Sequence, residues 1–523
     1  MPVRHRNRKY RQMAYEVAVR NPERYKGIIE VLYRYEGIIL NDENIANIYT
    51  SLFTSGVVDS NNVNIDKLSN EQIKDYIIHH LSHKADGSFP EGYQSSFWRY
   101  LRTLSELGAI YSQYNEPLLI SEASKALLSG RITQGEFFAL QSLRTNRKSP
   151  YRRVLNDFNY CKFLVNLIRK MPKQRLSYVQ FMITLFSENG DADSMKTILQ
   201  NNRFGNNFDA AYEYIVNHYD KIDDEHDKVC KQNSCFNDYG NTVFKVMLLT
   251  GYFTVEKSGQ MIMIGLNADK MGLFDSLSDF DFSLSEDEKE DRMLFFKKLG
   301  GFSPLYEEKI KIYREEGLLE DADYNEFLLK IAHDYDLTVD KVASMLISLC
   351  TSNSNARDEF WFIQKPLRFE LYVSLLIYLY YGNKYKVHPN YSIDSNGIPY
   401  SPAPAGKGDI EIFGLNEYCL VEVSLMRSRD QQGAFESSNL FRHVTNAFYD
   451  KKYMAFVAPY IHPDTELLLQ TMGVIQKTQR ITDCNKFSCR PMTATQFVDS
   501  IKGMDFLGNI ERYSDEVWNR IRG

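Results

Sequence analysis

The chain has 523 residues, 43% hydrophobic and 25% charged, with a net charge of −6. That length allows roughly two to four domains, and the balance is that of a globular protein with a substantial core rather than a disordered or fibrous chain. No apolar run is long enough to span a bilayer, and the basic start MPVRHRNRKYRQ lacks the apolar stretch of a signal peptide. Neither a membrane span nor export is therefore expected, and the expected compartment is the cytoplasm. The seven cysteines read as reduced thiols, and neither Cys230/Cys235 nor Cys484/Cys489 has the close His or Cys partners of a zinc site.

The acidic average conceals two charged blocks. Between Arg144 and Arg175 stand Arg144, Arg147, Lys148, Arg152, Arg153, Lys162, Arg169, Lys170, Lys173 and Arg175 against the single acid Asp157. Residues 274–291, FDSLSDFDFSLSEDEKED, are strongly acidic. Such segregation predicts one surface able to attract phosphate on an acidic protein, or else a solvated helix beside a linker.

Along the chain, residues 1–145 read as helical, with Phe97, Leu101, Leu104 and Leu107 at helical spacing before Gly108. AIYSQ and PLLIS then form two expected strands about the turn YNEP. Within 146–266 the order recurs: Val243, Val246 and Leu249 precede Gly251, and YFTVE and MIMIGL flank KSGQ. Helix followed by hairpin is the second half of a winged helix, so two winged-helix-like DNA-recognition subdomains are expected. Arg99, Arg102, Arg147, Lys148, Arg152, Arg153, Lys228 and Lys231 are the candidate DNA contacts, because such units grip phosphate with Arg and Lys. Residues 267–355 read as an acidic helical linker, and 356–523 as an α/β domain in which GDIEIF and YCLVEVSL are strands between helices.

Strand periodicity puts Asp409 and Glu411 on one face, and Leu420, Glu422 and Ser424 on one face of the next strand. If the strands pair, Asp409 and Glu422 converge at the edge of a hydrophobic sheet. Two carboxylates brought together away from water repel unless a cation lies between them, and hard oxygen donors favour Mg²⁺, with Mn²⁺ as its substitute. Glu370 lies on the preceding helix, and Glu436, Arg442 and His443 enter or occupy the following one. An exposed hairpin with solvated acids is the alternative.

This constellation resembles the PD-(D/E)xK nuclease core, an Asp on one strand followed by Glu-x-Lys on the next. More narrowly, GDIEI, VEVSLMRS, FESSNLFRH and AFVAP resemble the AlwI-type family of type IIS restriction endonucleases, which includes MlyI-like and nicking enzymes. Arg442 and His443 fall six and seven residues after Glu436, the spacing of that family. The likeness covers 360–500, and reaches the N-terminal half only through winged-helix order and Ser149–Pro150 after the basic helix. It implies a multidomain, Mg²⁺-dependent enzyme that binds a specific double-stranded DNA sequence and hydrolyses it at a fixed distance. Asp409, Glu422 and Glu370 would be metal ligands, with Glu436, His443 and Arg442 completing the catalytic set.

There are two departures. Gly408 replaces the usual proline and is expected only to shape the strand, whereas Ser424 replaces the lysine that orients or deprotonates water. His443, Arg442 or water at the metal is expected to take that role. One site per chain means that cutting both strands takes a homodimer on DNA or a second cleavage subunit, while a monomer nicks. A non-catalytic winged-helix regulator and a repair nuclease on the same core are the competing readings.

Overall fold

The computed structural model describes residues 12–16, 18–19, 22, 24–55, 57–58, 69–80, 92–152, 154, 156–202, 204–219, 232–259, 261–316, 324–351, 358–394, 396–403, 408–425, 444, 449–479, 486–503 and 505–522. The chain divides into two compact units, Met1–Leu318 and Leu319–Gly523, combining helices and sheets.

In the first unit the amphipathic helix Gly92–Glu106 ends at Gly108 and leads into β1 (Ile110–Tyr111), which pairs antiparallel with β2 (Leu119–Ile120). Gly108 has φ +65°, and a Cβ there would meet Leu299 Cβ at 2.4 Å, so both the turn and the close approach require glycine. Farther on, helix Tyr160–Lys170, β3 (Arg175–Ser177) and helix Tyr178–Thr184 precede helix Asn241–Leu249. The hairpin of β4 (Phe253–Ser258) and β5 (Met261–Leu266) follows, giving an antiparallel sheet of order β3-β5-β4. The helix-then-hairpin order read from the sequence is thus present twice. Capping boxes at Thr133/Glu136 and Ser177/Gln180 start two of the unit's helices by satisfying orphan N–H groups.

The segment 267–355 is not a free linker. Its first part, through helices Ala268–Ser278, Arg292–Gly300 and Pro304–Glu316, packs into the first unit, where Gln141 Nε2 donates to Leu299 O at 3.1 Å. Its second part, helices Tyr324–Asp334 and Val339–Cys350, packs in the second unit. The acids that made it look like a linker face bases that lie more than a hundred residues away in sequence, and these pairs are invisible to composition.

The second unit holds the long helix Lys365–Tyr381 and a mixed five-stranded sheet of order β12-β11-β10-β9-β6. Here β9 (Ile410–Phe413) pairs antiparallel with both β6 (Lys386–Pro389) and β10 (Glu417–Val423). Strands β10, β11 (Lys451–Ala458) and β12 (Lys486–Thr493) are parallel. A short hairpin, β7 (Ser392–Ile393) and β8 (Pro399–Ser401), lies between β6 and β9. One sheet face packs Tyr418, Leu420, Met454, Phe456 and Cys489 against Leu469 of helix Pro463–Gln479. Every residue of Lys365–Tyr381 from Leu367 to Tyr378 is buried, as expected for a helix apolar on nearly all sides. Arg368 and Glu370 are the charged exceptions within it.

Candidate active site

The register of β9 and β10 pairs Glu411 with Leu420 and Ile410 with Val421, which sets Asp409 directly across from Glu422. The predicted convergence is therefore present, and it is fixed by backbone. Val423 N–H donates to Asp409 Oδ2 at 2.8 Å, and Asp409 N–H donates to Glu422 Oε1 at 3.2 Å. Glu422 is buried and Asp409 half-buried. Gly408 makes this approach possible: a Cβ there would meet Leu420 Cδ1 at 2.1 Å and Glu422 Oε1 at 2.8 Å. The glycine in place of proline thus leaves room for the acid pair, since a side chain there would push Leu420 and Glu422 aside.

Burial pushes the Asp409 carboxyl up to about 6, against the opposing pull of the Val423 N–H and of a hydrogen bond with Glu422. Glu422 is raised well above the carboxylate range, first by burial and then by the charge of Asp409. The two carboxyls titrate together as a pair, both raised first by burial. Glu370, from the buried helix, is also raised by burial and by Asp409, and its Oε2 has no hydrogen-bond partner among the described residues. Arg368, two residues before it, does not neutralise it: that guanidinium is paired with Asp358 at 2.8 Å. Among the described residues, no base offsets the mutual repulsion of these three carboxyl groups.

Hard oxygen donors, an unpartnered carboxylate oxygen and unrelieved repulsion fit a small divalent cation. Among the described residues no three His, Cys, Asp or Glu side chains are close enough to cage an ion together. The fit is to a cation held mainly by the Asp409/Glu422 pair and water, with Glu370 acting across space.

Ser424 continues the strand, its N–H donating to Val457 O at 3.0 Å, so no lysine stands at this position. Glu436, Arg442 and His443 lie outside the described residues. A residue that the sequence reading missed is Asn390, which directly follows β6 and donates from Nδ2 to Gly408 O at 2.7 Å. Nothing in HPNYS distinguishes it from a turn asparagine; only the register of β6 against β9 brings it to Asp409.

The model of the AlwI restriction endonuclease family matches residues 105–298 and 341–499, most of the chain and both units. The chain belongs to the AlwI restriction endonuclease family. The chain is accordingly a DNA-cleaving, site-specific restriction endonuclease. The chain is also similar to three solved structures. The small subunit R.BspD6I2 of the heterodimeric restriction endonuclease R.BspD6I is 17% identical, over 34% of this chain and 87% of that one, with a TM-score of 0.24. The BpuJ1 endonuclease binding domain in complex with modified DNA is 10% identical, over 55% and 91%, at 0.29. Restriction endonuclease FokI is 11% identical, over 91% and 98%, at 0.23. No curated protein matches the chain.

Several of the DNA contacts expected of this AlwI-family chain are engaged within the first unit. Arg147 is buried, donates to Ser187 O at 2.9 Å and lies over the Phe158 ring. Arg152 is held against buried Glu106 at 2.8 Å. Each of the two thus serves an acceptor inside the first unit, Arg147 buried and Arg152 partly exposed. Lys148 pairs with Glu286, Arg99 with Glu16, and Arg102 with Glu106. Arg99 and Arg102 keep about half of their side-chain surface exposed, 51% and 43%, and remain reachable. Arg153, Lys228 and Lys231 lie outside the described residues. The acidic segment covers much of the basic block, with Arg169 gripping both oxygens of Asp275 at 2.9 Å and Lys289 meeting Asp157 at 2.7 Å. The described cysteines, Cys161, Cys235, Cys350, Cys419 and Cys489, are thiols, and no described helix is long and apolar enough to cross a membrane.

Proposed function

We propose that the chain is a type IIS endonuclease whose first unit binds a specific duplex sequence and whose second unit hydrolyses phosphodiesters at a fixed distance from it, with Mg²⁺. The cross-strand pair Asp409/Glu422 carries this reading. The second unit supports a PD-(D/E)xK-like assignment through its order of helix, antiparallel strands bearing the acids, and parallel strands with an intervening helix. The first unit supports a winged-helix assignment for 146–266 through its order of helix, strand, helix, then helix and hairpin, with β5 central between β3 and β4. The shorter β1/β2 hairpin supports the same for 1–145.

Mg²⁺, or Mn²⁺ in its place, supplies positive charge to the scissile phosphate and makes water a better nucleophile. Asp409 and Glu422 would hold it, oriented in advance by the Val423 and Asp409 N–H groups, so little reorganisation is needed at the moment of reaction. Glu370 would add negative charge behind the pair and keep the site selective for cations. With Ser424 at the lysine position, proton removal from water would fall to His443 or Glu436 or to bulk solvent, while Arg442, always protonated, would contact the phosphate. One acid pair per chain favours nicking by a monomer and double-strand cleavage by a homodimer or with a second subunit.

Supercoiled plasmid incubated with Mg²⁺ tests the reading. Wild type should give discrete nicked or linear products whose sequenced ends lie at one offset from a common sequence, and Asp409→Ala and Glu422→Ala should give none. Activity in both variants would remove the site, smeared products would favour a repair nuclease, and binding without cleavage would favour a regulator.

A further inference from the structure

Glu411 shares a strand face with Asp409 and by position alone would be a third acid for the cation. Its carboxylate is engaged elsewhere. Tyr418 Oη donates to Glu411 Oε1 at 2.7 Å, and Asn390 Nδ2 donates to Glu411 Oε2 at 3.0 Å. The same Nδ2 donates its second hydrogen to Gly408 O at 2.7 Å, and the Asn390 backbone N–H donates to Asp409 O at 2.9 Å. An asparagine amide offers two hydrogens on nitrogen and none on oxygen, so the carboxylate of Glu411 selects the flip that aims a donor at Gly408. Tyr418 in turn fixes the carboxylate. The chain of contacts runs from Tyr418 through Glu411 and Asn390 to both carbonyls of the Gly408–Asp409 segment.

The other side of that segment is closed as well. Leu420 and Glu422 crowd Gly408, and Val423 N–H holds Asp409 Oδ2. We propose that Asn390 is the positioning residue for Asp409, and that Glu411, with Tyr418, supports Asn390 rather than binding the cation. This rests on the reading of Asp409 as a cation ligand. A ligand whose backbone is clamped from both sides loses little freedom when the ion arrives, and groups one shell out characteristically change metal affinity by 10–100-fold.

The test is calorimetric titration of the full chain with Mg²⁺, alongside plasmid cleavage at graded Mg²⁺ and thermal unfolding without it. Asp409→Asn should lose Mg²⁺ binding. Asn390→Ala should weaken it by about tenfold or more and move half-maximal cleavage to correspondingly higher Mg²⁺. Tyr418→Phe, which keeps the ring, should shift both in the same direction by less, and Glu411→Gln should retain measurable binding. A purely structural role would lower the melting temperature without moving the Mg²⁺ dependence. Wild-type affinity in Asn390→Ala, or in Tyr418→Phe should the alanine variant not fold, overturns the inference while Asp409→Asn stays inactive. A Glu411→Gln loss as complete as that of Asp409→Asn makes Glu411 a ligand and overturns it too. Undiminished Mg²⁺ binding by Asp409→Asn removes the site reading itself, and the inference with it.

Discussion

The acids of the first unit's charged segments and the three acids of the second unit's candidate site are set in opposite surroundings. In the first unit Asp275, Glu286, Asp157 and Glu106 each meet a base: Arg169, Lys148, Lys289 and Arg152. Glu286 is accordingly pulled down to about 2 by its hydrogen bonds to Lys148 and Lys289. In the second unit Asp409, Glu422 and Glu370 meet one another, and all three are pushed upward, first by burial. Paired acids are part of the scaffold. Crowded, unpaired acids oppose folding, and a structure that keeps them holds a place for positive charge.

The largest expected effect comes from removing the crowded charge. Glu422→Gln should lower plasmid cleavage by on the order of 10³-fold, while raising the unfolding free energy of the metal-free protein at neutral pH by about 1–2 kcal/mol. Cleavage kinetics and denaturant unfolding measured on one preparation check both halves. Arg144→Ala should act the other way. Its buried guanidinium serves Lys298 O and Gly301 O, and leaving these carbonyls unmet should cost about 2–4 kcal/mol of stability in the first unit. Gly408→Ala should cost about 1–3 kcal/mol by overpacking, and should lower cleavage more than this loss explains, because the clash falls on Glu422 itself.

The pH dependence carries the same contrast with its sign reversed. Asp409 has a folded value of about 6 against an ordinary 3.8, so the native state binds more protons between them. Its contribution to stability is present below about 4 and is lost as pH rises through about 6; Mg²⁺ should restore it. Glu286 contributes stability that is present above the ordinary carboxylate range and is lost as pH falls toward 2. Thermal melts from pH 4 to 7 with and without Mg²⁺ should therefore separate most at the upper end. The smallest effect belongs to the exposed pair: Arg169→Ala should change stability by no more than about 1 kcal/mol, and less at high salt.

The convergence of Asp409 and Glu422 was legible because period-two alternation is local and the register of β9 with β10 follows from a short turn. Glu370 was legible as the one acid in a largely apolar helix. What could not be read depends on contacts across long sequence separations. Arg147 and Arg152 look like any other members of a basic run until Ser187 O and Glu106 are seen behind them. The 274–291 acids look like a linker until Arg169 and Lys148 face them. Gly408 looks like a neutral replacement for proline until Leu420 and Glu422 close on it. Asn390 gives no signal before the sheet is assembled.

Anomalous scattering from Mn²⁺ in crystals of the chain bound to DNA tests the central claim most directly. The account predicts a peak coordinated by Asp409 and Glu422, with Glu370 nearby. A Mn²⁺ ion held beside the DNA phosphate by other residues, with Asp409 and Glu422 unligated, would contradict it.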